Sequence, residues 1–178
     1  MDTTRDHRFN SIVCLILFML VSSACVPDKG CSRANHAENE GDVEWLLSRQ
    51  DSGNACVEQS LGRIYLAGRD GIPQDVNRGL NYLRAAADRG LVTAKWELAV
   101  VLMDDLRWDS SKEEALKYLT EAASDGYLSA QTLLGQMLLF GERVPQDEEQ
   151  GIYWLSKAAE NGSETAQRLL DEHHTRTE

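Results

Sequence analysis

The apolar residues of the chain form two patterns, a short run near the start and a periodic pattern from about residue 42 onward. The short run, Ile12–Val21, reads IVCLILFMLV. Further along, YLRAAADRG begins at Tyr82 and returns as YLTEAASDG at Tyr118 and WLSKAAENG at Trp154, each copy 36 residues after the last. A period of roughly 20–50 residues is typical of proteins built from stacked supersecondary units. The second pattern therefore predicts a repeat protein.

Each copy predicts two helices, named here helix A and helix B. Helix A is predicted at 54–67, 93–103 and 129–140, and helix B at 75–89, 111–124 and 147–160. The predicted N-caps of helix B are residues whose side chains accept hydrogen bonds from backbone N–H groups, namely Asp75, Ser111 and Asp147. Each helix B ends at a glycine suited to the left-handed closing position. A half-unit, VEWLLSRQDSG, precedes the first full copy, and another, SETAQRLLDEHH, follows the last.

The residues shared by the copies resemble the Sel-one-like repeat, a relative of the tetratricopeptide repeat. The resemblance rests on the Leu-Gly pairs at Leu61 and Leu134, on the loop sequences GIPQD and RVPQD, and on the Leu-x-x-Ala-Ala-x-x-Gly endings. It implies an all-α fold, a right-handed α-solenoid of about three two-helix repeats with capping half-units. The solenoid is expected at 42–173, with a short solvated tail at 174–178.

The middle copy departs from this pattern, because Trp108 and Asp109 stand where the third copy has Val144 and Pro145. An exposed Trp108 would be a candidate interface anchor. Alternatively, its side chain fills the buried slot that Val144 occupies, and the apolar character of that slot favours burial.

The run before residue 22 is too short for a membrane-spanning helix, which needs roughly 20 apolar residues. It has the length of a signal-peptide core, and SSAC follows it, ending at Cys25. This sequence resembles a bacterial lipoprotein signal, in which acyl chains on the cysteine anchor the mature protein. The resemblance implies a signal peptide at 1–24, a lipid on Cys25, and sorting to the periplasmic face of the outer membrane, since Val26 rather than Asp follows. An ordinary secretory signal is the alternative.

The polar sequence that follows favours a tether at 25–41. Cys31 lies in this segment and Cys56 in the first helix A. In an oxidising compartment these two cysteines favour a disulfide, while two free thiols are the alternative. No C-x-x-C motif is present, so neither redox catalysis nor a zinc site is indicated.

The charge and the motifs exclude several functions. The net charge of −11 does not favour nucleic-acid binding, which needs clustered Lys and Arg. The sequence contains no nucleophile elbow, metalloprotease motif or phosphate loop, and His173 and His174 are predicted to be solvated tail residues. No catalytic residue, metal or cofactor is expected.

A binding surface is therefore the expected functional site. Helix A residues line the concave face of such solenoids, and grooves of this kind bind protein segments. The candidates are polar helix A positions outside the apolar pattern, Trp96, and charged residues of the middle loop. They are Glu58, Arg63, Lys95, Trp96, Glu97, Asp104, Asp105, Arg107, Gln131 and Gln136.

The resemblance implies a protein that binds another protein in the bacterial envelope. In its most specific form it is an immunity protein that neutralises a phospholipase effector of a type VI secretion system, because size, lipid anchor, acidic surface and missing catalytic motifs suit a stoichiometric inhibitor of a basic-surfaced partner. Membrane attachment would be through the N-terminal lipid alone. An envelope scaffold is the alternative, and a peptidoglycan or β-lactam hydrolase is a third hypothesis that the absence of motifs disfavours.

Overall fold

A computed structural model describes residues 31–104 and 108–177. The side chains of residues 108, 109 and 177 are not part of that description. The predicted signal peptide, the lipid on Cys25, the loop residues Asp105 and Arg107, and the burial of the Trp108 side chain therefore lie outside the described residues.

The described residues form nine helices and no strand, which confirms the predicted all-α fold. The helices are α1 Ser32–Glu40, α2 Val43–Leu47, α3 Ala55–Ala67, α4 Val76–Asp88, α5 Val92–Leu102, α6 Trp108–Ser124, α7 Leu128–Phe140, α8 Glu148–Glu160 and α9 Glu164–Thr177. Helices α3, α5 and α7 are the predicted A helices, and α4, α6 and α8 the predicted B helices.

Two of the three predicted N-caps are confirmed. The Asp75 carboxylate accepts a hydrogen bond from the backbone N–H of Arg78 at 2.9 Å, and Asp147 accepts one from Gln150 at 3.0 Å. The prediction for Ser111 is wrong, because α6 begins at Trp108. The loops before α4 and α8 contain a proline, which disfavours helical backbone at the preceding residue. The loop before α6 has none, so this helix begins a turn earlier.

The predicted tether is wrong for Ser32–Glu40, which form α1. Ala34 and Ala37 on this helix are buried, and a disulfide joins Cys31 to Cys56 with the Cα atoms 5.1 Å apart. Helix α1 is polar and short, so its own sequence stabilises it weakly. Its alanines and the covalent bond hold it against α3.

The predicted tail is helical, because α9 continues to Thr177; residues 174–176 are exposed as predicted, but the prediction of a solvated His173 is wrong. An Arg168–Glu172 pair at 3.0 Å supports the helix one turn before its end. The His173 side chain is only 14% exposed and its Nε2 lies 3.1 Å from a Glu148 carboxylate oxygen. The sequence of this segment is acidic and has no apolar pattern, so it did not predict the contact between His173 and Glu148.

The described residues fall into two compact units, divided between Ala94 and Lys95. In the first unit, α3 and α4 cross at Gly62 and Gly79, where an added Cβ at Gly62 would lie 2.9 Å from Leu83. In the second unit, α7 and α8 cross in the same way at Gly135 and Gly151. The glycines of the two Leu-Gly pairs, Gly62 and Gly135, thus lie where two helices approach closely.

Candidate functional site

Three of the predicted binding residues occupy equivalent positions on helix A of the three repeats. In the structure, each of their side chains is bonded to another residue of the same chain. They are Glu58, Lys95 and Gln131. Glu58 is 5% exposed and Gln131 is fully buried, and Gln131 donates a hydrogen bond to the backbone oxygen of Ala123 at 3.0 Å. The assumption that these side chains are open to a partner is wrong.

Glu58 and Lys95 each form an ion pair at this position. The helix A residue is the anion of the pair in the first repeat and the cation in the middle repeat. In the first unit, Arg89 Nε donates to both carboxylate oxygens of Glu58 at 2.9 and 3.1 Å. In the second unit, Lys95 lies 2.8 Å from Asp125 and 3.2 Å from Glu121. The Asp125 hydrogen bond, with a smaller contribution from Glu121, raises the pKa of Lys95. The folded state therefore holds this proton more tightly, so the bridge stabilises the fold fully below the ordinary lysine pKa, and this stabilisation is lost as the pH rises through the raised pKa of folded Lys95.

The reversed polarity gives a direct stability prediction for the first unit. Glu58→Lys would place a cation against Arg89, and we expect it to lower the free energy of unfolding by about 1–3 kcal/mol, less than a fully buried pair would lose because Arg89 is half exposed. The double variant Glu58→Lys/Arg89→Glu copies the Lys95–Asp125 polarity and should recover most of the loss. Urea unfolding of both variants measures this. A double variant no more stable than the single one would contradict the pairing.

Most of the remaining predicted residues are also paired or buried within the chain. Arg63 lies 3.2 Å from the buried carboxylate of Glu38 on α1, which Arg69 also contacts. Trp96 is 7% exposed and its ring lies 5.5 Å from the ring of Tyr127. Glu97 is buried and Asp104 is half-buried. Gln136, in contrast, lines an open cavity.

This cavity of about 230 Å³ lies in the second unit. It is lined by Leu128, Ser129, Thr132, Leu133 and Gln136 of α7, with Ser163 and Thr165 at the start of α9. Gln136 also donates to a carboxylate oxygen of Glu142 at 3.3 Å. The volume corresponds to about eight water molecules of bulk liquid, enough for one large side chain. We name this feature the α7–α9 cavity.

The 36-residue register explains why the cavity exists. Trp96 is equivalent to Thr132 and Tyr127 to Ser163. In the middle repeat the two aromatic rings are in contact, whereas in the third repeat the two hydroxyls lie 3.0 Å apart. Two bulky side chains are thus replaced by two small ones, which leaves the space open. Sequence reasoning missed Thr132 and Ser163 because it searched for charged and aromatic residues, although comparing the copies position by position would have found them.

The chemistry of the described residues is limited. No group of three or more His, Cys, Asp or Glu side chains within 31–104 and 108–177 is arranged to hold a metal ion. In the same ranges, none of the helices combines the length and apolar character needed to cross a bilayer. The α7–α9 cavity offers hydroxyl, amide and aliphatic groups.

The repeats match a known family. The model of the Sel1 repeat matches residues 60–91, 94–127 and 128–163, together more than half of the chain. Curated proteins give no match. The crystal structure of a Sel1 repeat protein from Oxalobacter formigenes is similar, with a TM-score of 0.63 and 31% identity over 74% of this chain and 98% of that one. The SLR-fold protective antigen c5321 of uropathogenic Escherichia coli has a TM-score of 0.63 and 30% identity, over 72% of this chain and 27% of that one. The chain therefore belongs to the Sel1 repeat family.

Proposed function

We propose that this protein binds a segment of a partner protein on the helix A surface of its third repeat, in the bacterial envelope. Sel1 repeat proteins are protein-interaction scaffolds, typically without catalysis, and their repeats imply a protein partner. The observation that carries the proposal is the α7–α9 cavity, which opens at Gln136 while the other described candidates are engaged within the molecule. Concave, partly apolar surfaces of this kind are preferred sites for bound side chains.

The envelope assignment rests on two features of the first unit and the sequence before it. The disulfide between Cys31 and Cys56 belongs in an oxidising compartment. The lipoprotein-like sequence ending at Cys25 supports attachment by acyl chains to the periplasmic face of the outer membrane. Labelling growing cells with an alkyne fatty acid should modify the chain, and Cys25→Ser should abolish the label. A labelled Cys25→Ser variant would reject lipidation at this residue.

In its more specific form, the proposal is an immunity protein that neutralises a type VI secretion phospholipase effector. The net charge of −11 supports a basic-surfaced partner, because opposite fields speed encounter and disfavour wrong partners. A stoichiometric inhibitor also needs only a binding surface.

The test uses phospholipase-like proteins encoded next to this chain's gene. Each would be directed to the periplasm of a sensitive host with or without this protein. We expect restored growth and a one-to-one complex by native mass spectrometry. A complex without protection would reject the immunity role and favour the scaffold alternative. Hydrolysis of nitrocefin or muropeptides by the purified protein, lost on one point substitution, would reject a purely binding function.

A further inference from the structure

We infer that the α7–α9 cavity receives an aromatic side chain that is flanked by basic residues in the partner segment. This rests on the proposed function and specifies the chemistry of its ligand. Three observations support it: the occupant of the equivalent space one repeat earlier, the hydrogen bonding of the cavity hydroxyls, and the charge at the cavity rim.

The middle repeat shows what the equivalent space accommodates. There, the Trp96 ring contacts the Tyr127 ring and is buried. Both copies match the same family model, and the 36-residue register places Thr132 and Ser163 at the positions of the two rings. With Thr132 and Ser163 in place of the rings, the third repeat has room for a ring from another molecule. Aromatic side chains bury large areas with few rotatable bonds, which suits them as anchors.

The hydroxyl groups in the cavity need no polar ligand. Thr132 Oγ1 donates to the backbone oxygen of Leu128 at 3.0 Å, so it accepts the proton of Ser163 Oγ in their mutual 3.0 Å contact. Ser163 Oγ in turn accepts from the backbone N–H of Ala166 at 3.2 Å. Both hydroxyls are therefore satisfied before any ligand arrives. The Thr132 methyl group, Leu128 and Leu133 are left to contact an apolar guest, which costs no hydrogen bond.

The rim selects for positive charge beside the ring. Two exposed carboxylates neighbour the lining residues: Glu142 accepts a hydrogen bond from Gln136, and Glu164 lies between Ser163 and Thr165 in the sequence. Arg168, the nearest cation along α9, is paired with Glu172. Acidic residues also outnumber basic ones from 128 to 177. The residues next to the lining thus include two carboxylates, which complement Lys or Arg next to the aromatic residue.

The test is an NMR titration of the isotope-labelled chain with the peptide acetyl-Lys-Trp-Lys-amide. We expect saturable shifts at roughly millimolar peptide, concentrated in 128–136 and 163–165. Acetyl-Lys-Ala-Lys-amide should give none. The variant Thr132→Trp/Ser163→Tyr rebuilds the aromatic pair of the middle repeat within the cavity and should abolish the shifts. Equal shifts from the alanine peptide, or unchanged binding by a folded double variant, would overturn the inference.

A second variant tests the rim charge and keeps every residue that lines the cavity, although it removes the hydrogen bond between Gln136 and Glu142. Glu142→Lys/Glu164→Lys changes two exposed side chains, so the fold should be unaffected. Affinity for the Lys-Trp-Lys peptide should fall about threefold to tenfold, while acetyl-Glu-Trp-Glu-amide should gain. Equal affinity of both peptides for the original chain would overturn the charge preference. Tyr153 on α8 is an exposed aromatic side chain of this chain itself. Concentration-dependent self-association that is lost in Tyr153→Ala would overturn the partner assignment, since it would place a second copy in the cavity.

The outcome is separable from that of the proposed function. If a folded Thr132→Trp/Ser163→Tyr variant still protects cells and still forms the one-to-one complex, the proposed function stands and the cavity inference is wrong. If the original chain binds the Lys-Trp-Lys peptide in the cavity but no neighbouring gene product, the cavity inference stands and the immunity role is wrong.

Discussion

Gly151→Ala is expected to lower the free energy of unfolding by about 2–4 kcal/mol. An added Cβ at this position would lie 2.5 Å from the backbone nitrogen of Leu139 and 2.7 Å from its Cα. Alanine should gain up to about 1 kcal/mol from helix propensity, but the clash involves backbone atoms of α7 that no side-chain rotation can move. The helices must separate, and the contacts of Leu155 with this crossing weaken. Chemical denaturation followed by circular dichroism measures the loss.

The middle repeat provides a matched control. Ala115 is fully buried and lies 36 residues before Gly151, at the equivalent position of its repeat. Replacing it by glycine is the reverse of the Gly151→Ala substitution. Ala115→Gly should cost only about 1 kcal/mol, mostly from helix propensity. A Gly151→Ala protein more stable than the original chain would contradict the close-contact interpretation.

Replacing Cys31 and Cys56 together by serine is expected to cost about 3–4 kcal/mol. The disulfide links residues 25 apart, and a loop of this length yields that value in the chain-entropy model. Helix α1 has few other means of attachment, chiefly Ala34, Ala37 and the ion pairs of Glu38. Hydrogen exchange should show the amides of α1 losing protection before those of α3. Thermal melts of the original chain with and without reductant should show the same decrease.

The control removes the ion pairs and keeps the covalent bond. Glu38→Gln should cost less than the double serine variant, because the disulfide still holds α1 close to α3. If reduction left both the melting temperature and the exchange of α1 unchanged, the disulfide would not be what holds this helix.

The sequence predicts the helices of the repeats well because several local signals agree. Asp75 and Asp147 are caps with partners three residues later, and Gly90, Gly126 and Gly162 adopt positive φ. Helix α1 escapes prediction for a physical reason, since it lacks an apolar stripe. Its burial depends on two alanines and a bond to a residue far along the chain, and neither produces a periodic pattern.

The candidate site was harder to predict than the fold. The binding residues were predicted by choosing the polar positions of helix A, such as Glu58 and Gln131. This rule cannot distinguish a side chain that contacts another protein from one that contacts its own chain. Both side chains form hydrogen bonds within the chain, Glu58 with Arg89 and Gln131 with a backbone oxygen. The cavity arises from Thr132 and Ser163, whose small size matters more than their polarity. Small residues stand out only when each copy is compared with its neighbour.

The central claim is that the third-repeat helix A surface contacts a partner protein in the envelope. Photocrosslinking in living cells tests it most directly, with a photoreactive amino acid at Gln136 and, as control, at the exposed Thr120 on α6. The account predicts one defined adduct from Gln136, mapped by mass spectrometry to an aromatic residue beside Lys or Arg, and none from Thr120. Adducts from Thr120 but not from Gln136 would contradict it.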